Sequence, residues 1–293
     1  MLKALFKPRD PLELTPDHRP YHSRTQYYTQ IAEQNRRFFR NLIETDERVR
    51  ASQTSSGCYH YTVPLPPQGS QEGTTNVVVK TPIHVVAADS LDTAQQLVAE
   101  GKQDIVVLSM ANATSPGGAY FHGAGAQEEA LCRRSILYLT ISPERNFHPI
   151  PKHGAIYSPD VLVVRKSDQE ECVILDRKER WWTSVISVAA IVRPPLNASG
   201  TDFARKEDKE DTRERIRTLL RVAAREGKRN LVLSALGCGA FRNPPKSVAK
   251  LLKDVLEEKE FGGRFEGIWF SIMDRNGSRN YDVFRKVLDG LVI

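Results

Sequence analysis

Two glycine-rich loops contain most of the residues in this sequence that could do chemistry. The first loop, 112–126, leads into the triplet Gln-Glu-Glu at 127–129, and the second loop spans 236–245. Each loop follows an apolar run typical of a buried strand and precedes an amphipathic helix. Ligands of α/β sheets sit where strands end, and the backbone N–H groups of loops and helix N-termini bind anions there. The two loops therefore predict a site for an anionic ligand.

The motifs that these loops lack narrow the class of ligand. Neither loop ends in the Gly-Lys-Ser/Thr of a nucleoside-triphosphatase loop, and neither contains the complete GxGxxG dinucleotide motif. The loops could therefore surround phosphate groups, but they lack the lysine that binds the transferred phosphate in nucleoside triphosphatases. This combination indicates a diphosphate ligand that is bound and not transferred. Either loop alone could be no more than a tight turn, so the prediction depends on the two acting together.

Glu128 and Glu129 are adjacent carboxylates at the start of a predicted helix. Neighbouring side chains on a helix point about 100° apart, so only one of the two can face a reacting bond squarely. The second carboxylate is better suited to orienting the ligand. A glutamate whose pKa is raised by burial or by a nearby negative charge can act as a general acid. The alternative is a pair of exposed first-turn residues that the helix dipole favours.

The order of these motifs resembles a known family. Pro116-Gly117-Gly118-Ala119 is followed after seven residues by Gln127-Glu128-Glu129. This resembles the Gly-Gly-Gly and Gln-Glu-Glu signature of poly(ADP-ribose) glycohydrolases of the macrodomain superfamily. The similarity is closest to their bacterial-type branch, in which an N-terminal helical segment precedes the macrodomain. Ala119 stands where the family has a third glycine, and its methyl group either crowds the ligand or is accommodated if φ stays negative.

The resemblance implies an enzyme that cleaves the ribose–ribose O-glycosidic bonds of poly(ADP-ribose) and releases ADP-ribose, with no cofactor and no metal. Glu129 would be the catalytic acid, and Glu128 would bind the ribose hydroxyls beside it. Such a bond breaks through an oxocarbenium-like state, and its leaving oxygen needs a proton. The same carboxylate, once ionised, can activate the attacking water. Two alternatives stay open: a hydrolase of mono-ADP-ribosylated side chains such as arginine, and a non-catalytic ADP-ribose reader.

The resemblance also implies a set of substrate-binding residues. Asn112 would hold the terminal ribose, Asp89 would accept a hydrogen bond from the adenine amino group, and Phe241 would pack against the terminal ribose. Each has a simpler alternative, since Asn112 could cap a turn, Asp89 could cap a helix and Phe241 could be a core aromatic. The remaining members of the set, most of which would contact the diphosphate through backbone groups, are Gly117, Gly118, Ala119, Gln127, Gly237, Cys238, Gly239 and Ala240.

The elements that must position these residues follow from the hydrophobic pattern. Apolar β-branched runs alternate with amphipathic helices from residue 77 onward, which predicts a three-layer α/β macrodomain with a mixed, largely parallel sheet. Residues 1–76 are predicted to form an N-terminal helical extension and loop, with one helix from about Arg24 to Val49, and residues 77–293 the catalytic domain. Strands are expected at 105–110, 155–158, 161–164, 172–175, 184–192, 231–236 and 268–273.

Composition excludes several classes of protein. Of the 293 residues, 40% are hydrophobic and 27% are charged, which is ordinary for a globular protein and excludes collagen, coiled coil and disorder throughout. No apolar run approaches the roughly 20 residues of a spanning helix, and the N-terminal apolar stretch is too short for a signal peptide. The four cysteines lack CxxC spacing, so a disulfide framework and a cysteine zinc site are not expected. An intracellular location, cytoplasmic or nuclear, is the expectation.

The formal net charge of +6 says little about partners. Arg213, Arg217, Arg221 and Arg225 are spaced four apart on a predicted helix. Such a row could meet an anionic polymer, but we favour a solvated face beside the core stripe of that helix. The expected partners are therefore poly(ADP-ribose) and ADP-ribosylated proteins, without direct nucleic-acid readout and without a membrane.

Overall fold

A sheet of seven strands runs through the computed structural model, which describes residues 23–66, 80–274 and 277–293. The strands are β1 (Gly57–Tyr59), β2 (Ile83–Val86), β3 (Ile105–Ala111), β4 (Ala155–Val163), β5 (Trp181–Ala189), β6 (Asn230–Leu233) and β7 (Gly267–Ser271). The helices are α1 (Arg24–Thr45), α2 (Glu47–Ser55), α3 (Ser90–Ala99), α4 (Gln127–Arg134), α5 (Leu137–Ile141), α6 (Lys206–Arg225), α7 (Pro245–Leu256) and α8 (Asn280–Leu288).

The strand order places the carboxyl ends of five parallel strands along the same side of the sheet. From side to side the order is β1-β4-β5-β3-β6-β7-β2. Neighbours from β5 to β2 run parallel, whereas β4 pairs antiparallel with both β5 and β1. The predicted mixed, largely parallel sheet is confirmed. The loops after β3 and β6, which are adjacent in the sheet, therefore leave it side by side.

Helices cover both faces of the sheet. On one face, α6, α7 and α8 contribute apolar side chains such as Leu219, Leu251 and Phe284 to a shared core. On the other face, α1, α3, α4 and α5 share a second core with the sheet, to which α1 contributes Phe38 and Phe39. This is the three-layer arrangement that the alternation of strands and helices predicts.

The outermost strand β2 is held by segments from the far end of the chain. It pairs in parallel with β7, from Ile83 opposite Ile268 to Val86 opposite Ser271. Just before β2, Thr81 and Ile293 exchange two backbone hydrogen bonds of 2.8 and 3.1 Å. The residues just before β2 thus lie beside Ile293, next to the outermost strand of the sheet.

The N-terminal segment is helical as predicted, but it forms two helices rather than one. Asp46 interrupts the expected helix, because its backbone is extended (φ −126°, ψ 110°) and its carboxylate accepts hydrogen bonds from the N–H groups of Arg48 and Val49. These bonds cap α2. The proposed domain boundary at 76/77 and the start of the predicted run at Val77 lie outside the described residues, so the division stays a prediction.

Two strand predictions are wrong in detail. The runs 155–158 and 161–164 form one strand, β4, with an irregularity between Ser158 and Val161. Residues 172–175 do not form a strand, because Glu171 and Cys172 have positive φ and only Ile174 makes an isolated bridge, to Arg165. An apolar tetrapeptide is too short to tell a strand from a buried loop.

In the described ranges, no helix is long and apolar enough to cross a membrane. All four cysteines are free thiols.

Candidate active site

The first loop begins where the central strand β3 ends. Asn112 turns the chain there, because its side-chain oxygen accepts hydrogen bonds from the N–H groups of Thr114 and Ser115 at 2.9 and 3.0 Å. Asn112 therefore caps a turn, which is the simpler of the two roles predicted for it. Its own backbone N–H donates to the carboxylate of Glu128 at 2.7 Å. Asn112 thus connects the end of the strand to the first turn of α4.

Gln127 fixes α4 to the same strand. Its side-chain oxygen accepts from the N–H of Met110 at 2.9 Å, and its Nε2 donates to the carbonyl of Leu108 at 2.6 Å. The side-chain amide is thus engaged by the backbone of β3. A role of Gln127 in substrate binding stays a prediction, whereas its contacts make it a positioning residue for the helix that carries the glutamates.

The two glutamates are buried, with exposed fractions of 3% for Glu128 and 7% for Glu129. The alternative of an exposed first-turn pair is therefore wrong. Oε1 of Glu129 accepts from the N–H of Ala119 at 3.0 Å, and Oε2 of Glu128 accepts from Asn112. The second oxygen of each carboxylate is buried and has no hydrogen-bond partner among the described residues. Such orphaned acceptors are costly unless a proton or a ligand satisfies them.

Burial raises the pKa of Glu128 to about 8. Hydrogen bonds from the backbone of Asn112 and Gly117 oppose this shift, and the charge of Glu129 adds to it. A pKa of about 8 means that Glu128 retains its proton at neutral pH.

Three consecutive residues shape the loop around these carboxylates. Gly117 and Gly118 both have positive φ, of 67° and 59°. A Cβ at Gly118 would collide with the carboxylate of Glu129, so glycine is needed there for space as well as for conformation. Ala119 has φ −102°, a conformation open to any residue, so the methyl group that replaces the third glycine is accommodated without backbone strain.

The second loop divides into a buried part and an exposed part. Gly237 has φ 73°, and a Cβ there would collide with Ala190 and Asn243. Asn243 closes the loop by donating from Nδ2 to the carbonyls of Ile191 and Gly237. Gly237 is therefore needed for packing, independently of any ligand.

The middle of the second loop is where a ligand could approach. Cys238 is buried, and burial raises the pKa of its thiol. Gly239 and Ala240 are exposed, and a Cβ at Gly239 would meet nothing within 4 Å. Phe241 is half-buried and packs against the core of α6, α7 and α8. This is the position expected if Phe241 is a core aromatic residue.

Asp89 makes two contacts within the protein through its Oδ1 atom. Its carboxylate caps α3 by accepting from the N–H of Leu91 at 2.8 Å, and it forms an ion pair with Arg134. The same arginine reaches Asp92 at 2.6 Å. The helix-capping alternative is therefore present in the structure, while the contact of Asp89 with adenine stays a prediction.

A cluster beneath α4, which we call the α1–α4 clamp, was missed by the sequence analysis. It consists of Tyr28, Asn35, Arg133 and Asp168. Arg133 is fully buried, pairs with Asp168 at 3.0 Å and lies over the ring of Tyr28 at 3.6 Å. Tyr28 donates to Asp168 at 2.8 Å, and Asn35 donates to the carbonyl of Arg133 and to the hydroxyl of Tyr120. Helix α1 thus holds both α4 and the loop before it.

The arginine row on α6 is not the solvated face that the sequence favours. Arg221 is buried and pairs with Glu260 at 2.6 Å, while Arg217 pairs with Glu258 at 2.7 Å. Arg213 pairs with Glu210, and Arg225 lies over the ring of Tyr61. Acidic partners and one aromatic ring therefore occupy the row, and the anionic-polymer alternative loses its main support.

No group of three or more histidine, cysteine, aspartate and glutamate side chains able to hold a metal ion occurs within 23–66, 80–274 and 277–293.

The largely parallel sheet, the two adjacent glycine loops and the buried glutamate pair form the arrangement that the motif resemblance to macrodomain glycohydrolases predicts. Residues 23–166 match the family model described as the catalytic domain of microbial-type PARG, poly(ADP-ribose) glycohydrolase. The resemblance seen in the motifs is therefore confirmed over these residues. The matched range includes α1, the first loop and Gln127-Glu128-Glu129.

Solved structures agree with this assignment. The poly(ADP-ribose) glycohydrolase of Thermomonospora curvata is 24% identical, with a TM-score of 0.69 over 89% of this chain and 99% of that chain. This likeness shows the fold. The enzyme of Deinococcus radiodurans in complex with ADP-ribose is 28% identical, with a TM-score of 0.64 over 83% of this chain and 97% of that one. A comparison with curated proteins found no match.

Proposed function

We propose that this protein hydrolyses the ribose–ribose O-glycosidic bonds of poly(ADP-ribose) and releases ADP-ribose. The observation that carries the proposal is the buried pair Glu128–Glu129, in which each carboxylate keeps one oxygen without a partner among the described residues. The family match over residues 23–166 and the ADP-ribose complex of the Deinococcus radiodurans relative support the substrate class.

In the proposed mechanism, Glu129 acts as the general acid and donates a proton to the leaving ribose oxygen. The bond from that oxygen to the anomeric carbon breaks, and positive charge develops on the anomeric carbon and the ring oxygen. Water then attacks the anomeric carbon and gives a proton to the ionised Glu129, which restores the acid. The N–H of Ala119 holds one oxygen of Glu129, so the other is left to face the substrate.

Glu128 is proposed to orient the terminal ribose. Its raised pKa keeps it protonated at neutral pH, so its unpartnered oxygen can donate to a ribose hydroxyl or accept from one. The hydrogen bond from the Asn112 N–H to its other oxygen fixes the position of the carboxyl group.

The two loops are proposed to hold the diphosphate through backbone N–H groups. The exposed Gly239-Ala240 segment and the positive-φ Gly117-Gly118 segment lie on the loops that leave neighbouring strands. Convergent N–H groups on such loops form anion sites. ADP-ribosylated proteins are the proposed carriers of the substrate, and the free cysteines fit the proposed intracellular location.

The test compares Glu129→Gln with wild type. The amide keeps the shape and the hydrogen bond to Ala119 but cannot donate the proton, so we expect kcat to fall by about 10³-fold with unchanged ADP-ribose affinity. Calorimetry measures binding, and release of ADP-ribose measures turnover. Glu100→Gln, at an exposed carboxylate at the end of α3, is the matched control. Near wild-type turnover of the Glu129 variant would contradict the assignment.

The choice of substrate separates the alternatives. Wild type should release ADP-ribose from automodified polymer. Release only from mono-ADP-ribosylated protein would favour the arginine-type hydrolase, and tight ADP-ribose binding without release from either would favour the reader.

A further inference from the structure

A groove beside the first loop is not used by the proposed mechanism. It lies between α1, the 3-10 turn Tyr120–His122 and α5, and its volume is about 370 Å³. Small-molecule sites typically measure about 300–1,000 Å³, so the groove can take part of a nucleotide. The side chains that give it chemical character are Arg36, Phe39, Arg40, Phe121, Tyr138 and Glu144.

One wall of the groove is suited to a planar base. The rings of Phe121 and Tyr138 meet edge to face with centroids 4.8 Å apart. The guanidinium of Arg36 lies 4.8 Å from the centroid of Phe121. Aromatic faces and guanidinium planes are the surfaces on which proteins stack nucleobases.

Two arginines that line the groove are suited to an anion. Arg36 and Arg40 are one helical turn apart on α1, and both are exposed. Arg36 pairs only with the half-exposed Glu33, at 3.3 Å, and Arg40 forms no ion pair with the described residues. Exposed pairs contribute little, so both guanidinium groups are available for bidentate contacts with phosphate. A hydrogen bond from Ser142 holds the pKa of Glu144 below its usual range, and this charged carboxylate can accept from ribose hydroxyls.

The groove shares the first loop with the reacting centre. Phe121 is two residues beyond Ala119, whose N–H binds Glu129. On the groove side of the loop, a Cβ at Gly117 would lie 3.0 Å from the ring of Tyr138. When a ribose–ribose bond breaks, the leaving group is the adenosine ribose of the adjoining ADP-ribose unit, which carries an adenine and a diphosphate. That unit must lie on the leaving-group side of Glu129.

We propose that this groove binds the adjoining ADP-ribose unit of the polymer, with its adenine on Phe121 and Tyr138 and its diphosphate on Arg36 and Arg40. The inference rests on the proposed function. It assigns helix α1 a direct part in recognising polymer rather than single ADP-ribose.

The experiment uses two substrates that differ in the adjoining unit. One is protein-free poly(ADP-ribose), and the other is ADP-ribose whose anomeric oxygen carries a nitrophenyl group in place of the next unit. A parallel assay uses the polymer while it is still attached to its carrier protein. We expect Arg36→Ala/Arg40→Ala to raise KM for the polymer about tenfold. The kcat/KM for the nitrophenyl substrate and the Kd for ADP-ribose should stay at wild-type values.

Arg37→Ala is the matched control, because Arg37 is exposed on the same helix and does not line the groove. It should leave KM for both substrates unchanged. Equal KM values for the double variant and wild type on polymer would overturn the inference. So would an equal loss on both substrates, which would mean that the arginines act on the first loop itself.

Two further outcomes have distinct meanings. A loss confined to protein-attached polymer would make the carrier protein the occupant of the groove and would overturn the inference while leaving the proposed function intact. If the wild-type protein released ADP-ribose from neither substrate, the proposed function would be overturned, and the inference would fall with it.

Discussion

Glu128 makes the stability of the folded protein depend on pH. Burial raises its pKa from 4.5 to about 8, so between these values the folded protein binds more protons than the unfolded chain. Stability therefore falls as pH rises through this range, by an amount on the order of a few kcal/mol. Glu128→Gln keeps an acceptor for the Asn112 N–H and removes the titration. We expect its melting temperature to exceed that of wild type increasingly from pH 5 to pH 8.

The measurement is thermal unfolding of wild type and of Glu128→Gln between pH 5 and pH 8. Glu100→Gln, at an exposed position, corrects for changes common to all variants. Parallel curves for wild type and the Glu128 variant would mean that the carboxyl group is ionised in the folded protein.

A substitution at Gly239 tests whether the second loop binds the diphosphate. A Cβ there meets nothing within 4 Å, so Gly239→Val should fold normally, but its side chain would stand between the exposed backbone and a phosphate. We expect ADP-ribose binding to weaken at least about tenfold by calorimetry, because the charge-assisted N–H contacts are lost. In wild type, ADP should compete with ADP-ribose, whereas adenosine should compete far less.

Gly262→Val supplies the control for Gly239. Gly262 is also exposed, and a Cβ there would have only an ordinary contact of 3.7 Å. Equal ADP-ribose affinity in the two variants, or equal competition by adenosine and ADP, would show that the second loop is not the phosphate site.

At the residue scale, local motifs were predictable and distant partners were not. Gly117, Gly118 and the two glutamates lie close together in the sequence, so their spacing can be recognised directly. The capping roles of Asn112 and Asp89 involve residues only two or three positions away. The pairing of Arg133 with Asp168 spans 35 positions, and nothing local to either residue indicates it. The burial that raises the pKa of Glu128 is likewise a property of the folded chain.

At the scale of elements, the α1–α4 clamp decides how firmly the catalytic helix is held. Burial alone would raise the pKa of Asp168, but the charge and hydrogen bonds of Arg133 hold it at about 2. Asp168→Asn leaves the buried guanidinium without a counter-charge, so we expect a loss of about 3 kcal/mol in unfolding free energy by urea titration.

Asp282→Asn makes the same chemical change at an exposed pair with Arg279. It should cost less than about 0.5 kcal/mol. Comparable losses in the two variants would show that the clamp contributes no more than a surface pair.

The elements themselves were predictable to different degrees. Long amphipathic helices such as α6 and α7 follow from their hydrophobic period, and β3 from its apolar run. Residues 172–175 look like a strand because they are apolar, yet they form a loop in which the carbonyl of Cys172 accepts a hydrogen bond from Arg165. The break at Asp46 could have been found, since an aspartate before an acidic first turn is a helix-start signal.

At the scale of the whole molecule, the chemistry is expected to need no metal. The parts of the chain that the structure describes hold no three-ligand cluster, and the proposed mechanism uses one proton and one water. Hydrolysis of polymer should therefore keep its full rate after exhaustive dialysis against EDTA. A loss of rate that Mg²⁺ or Zn²⁺ restores would point to a different class of hydrolase.

The pairing of β2 with β7 has a consequence for the order of folding on the ribosome. β2 is made early, but the described strand that pairs with it, β7, follows about 180 residues later. Until β7 has left the exit tunnel, the backbone groups of β2 lack their sheet partner, and such late, long-range pairings are slow and prone to aggregation. Newly made chains therefore pass through a stage in which α1 and the first loop are present but this edge of the sheet is still open.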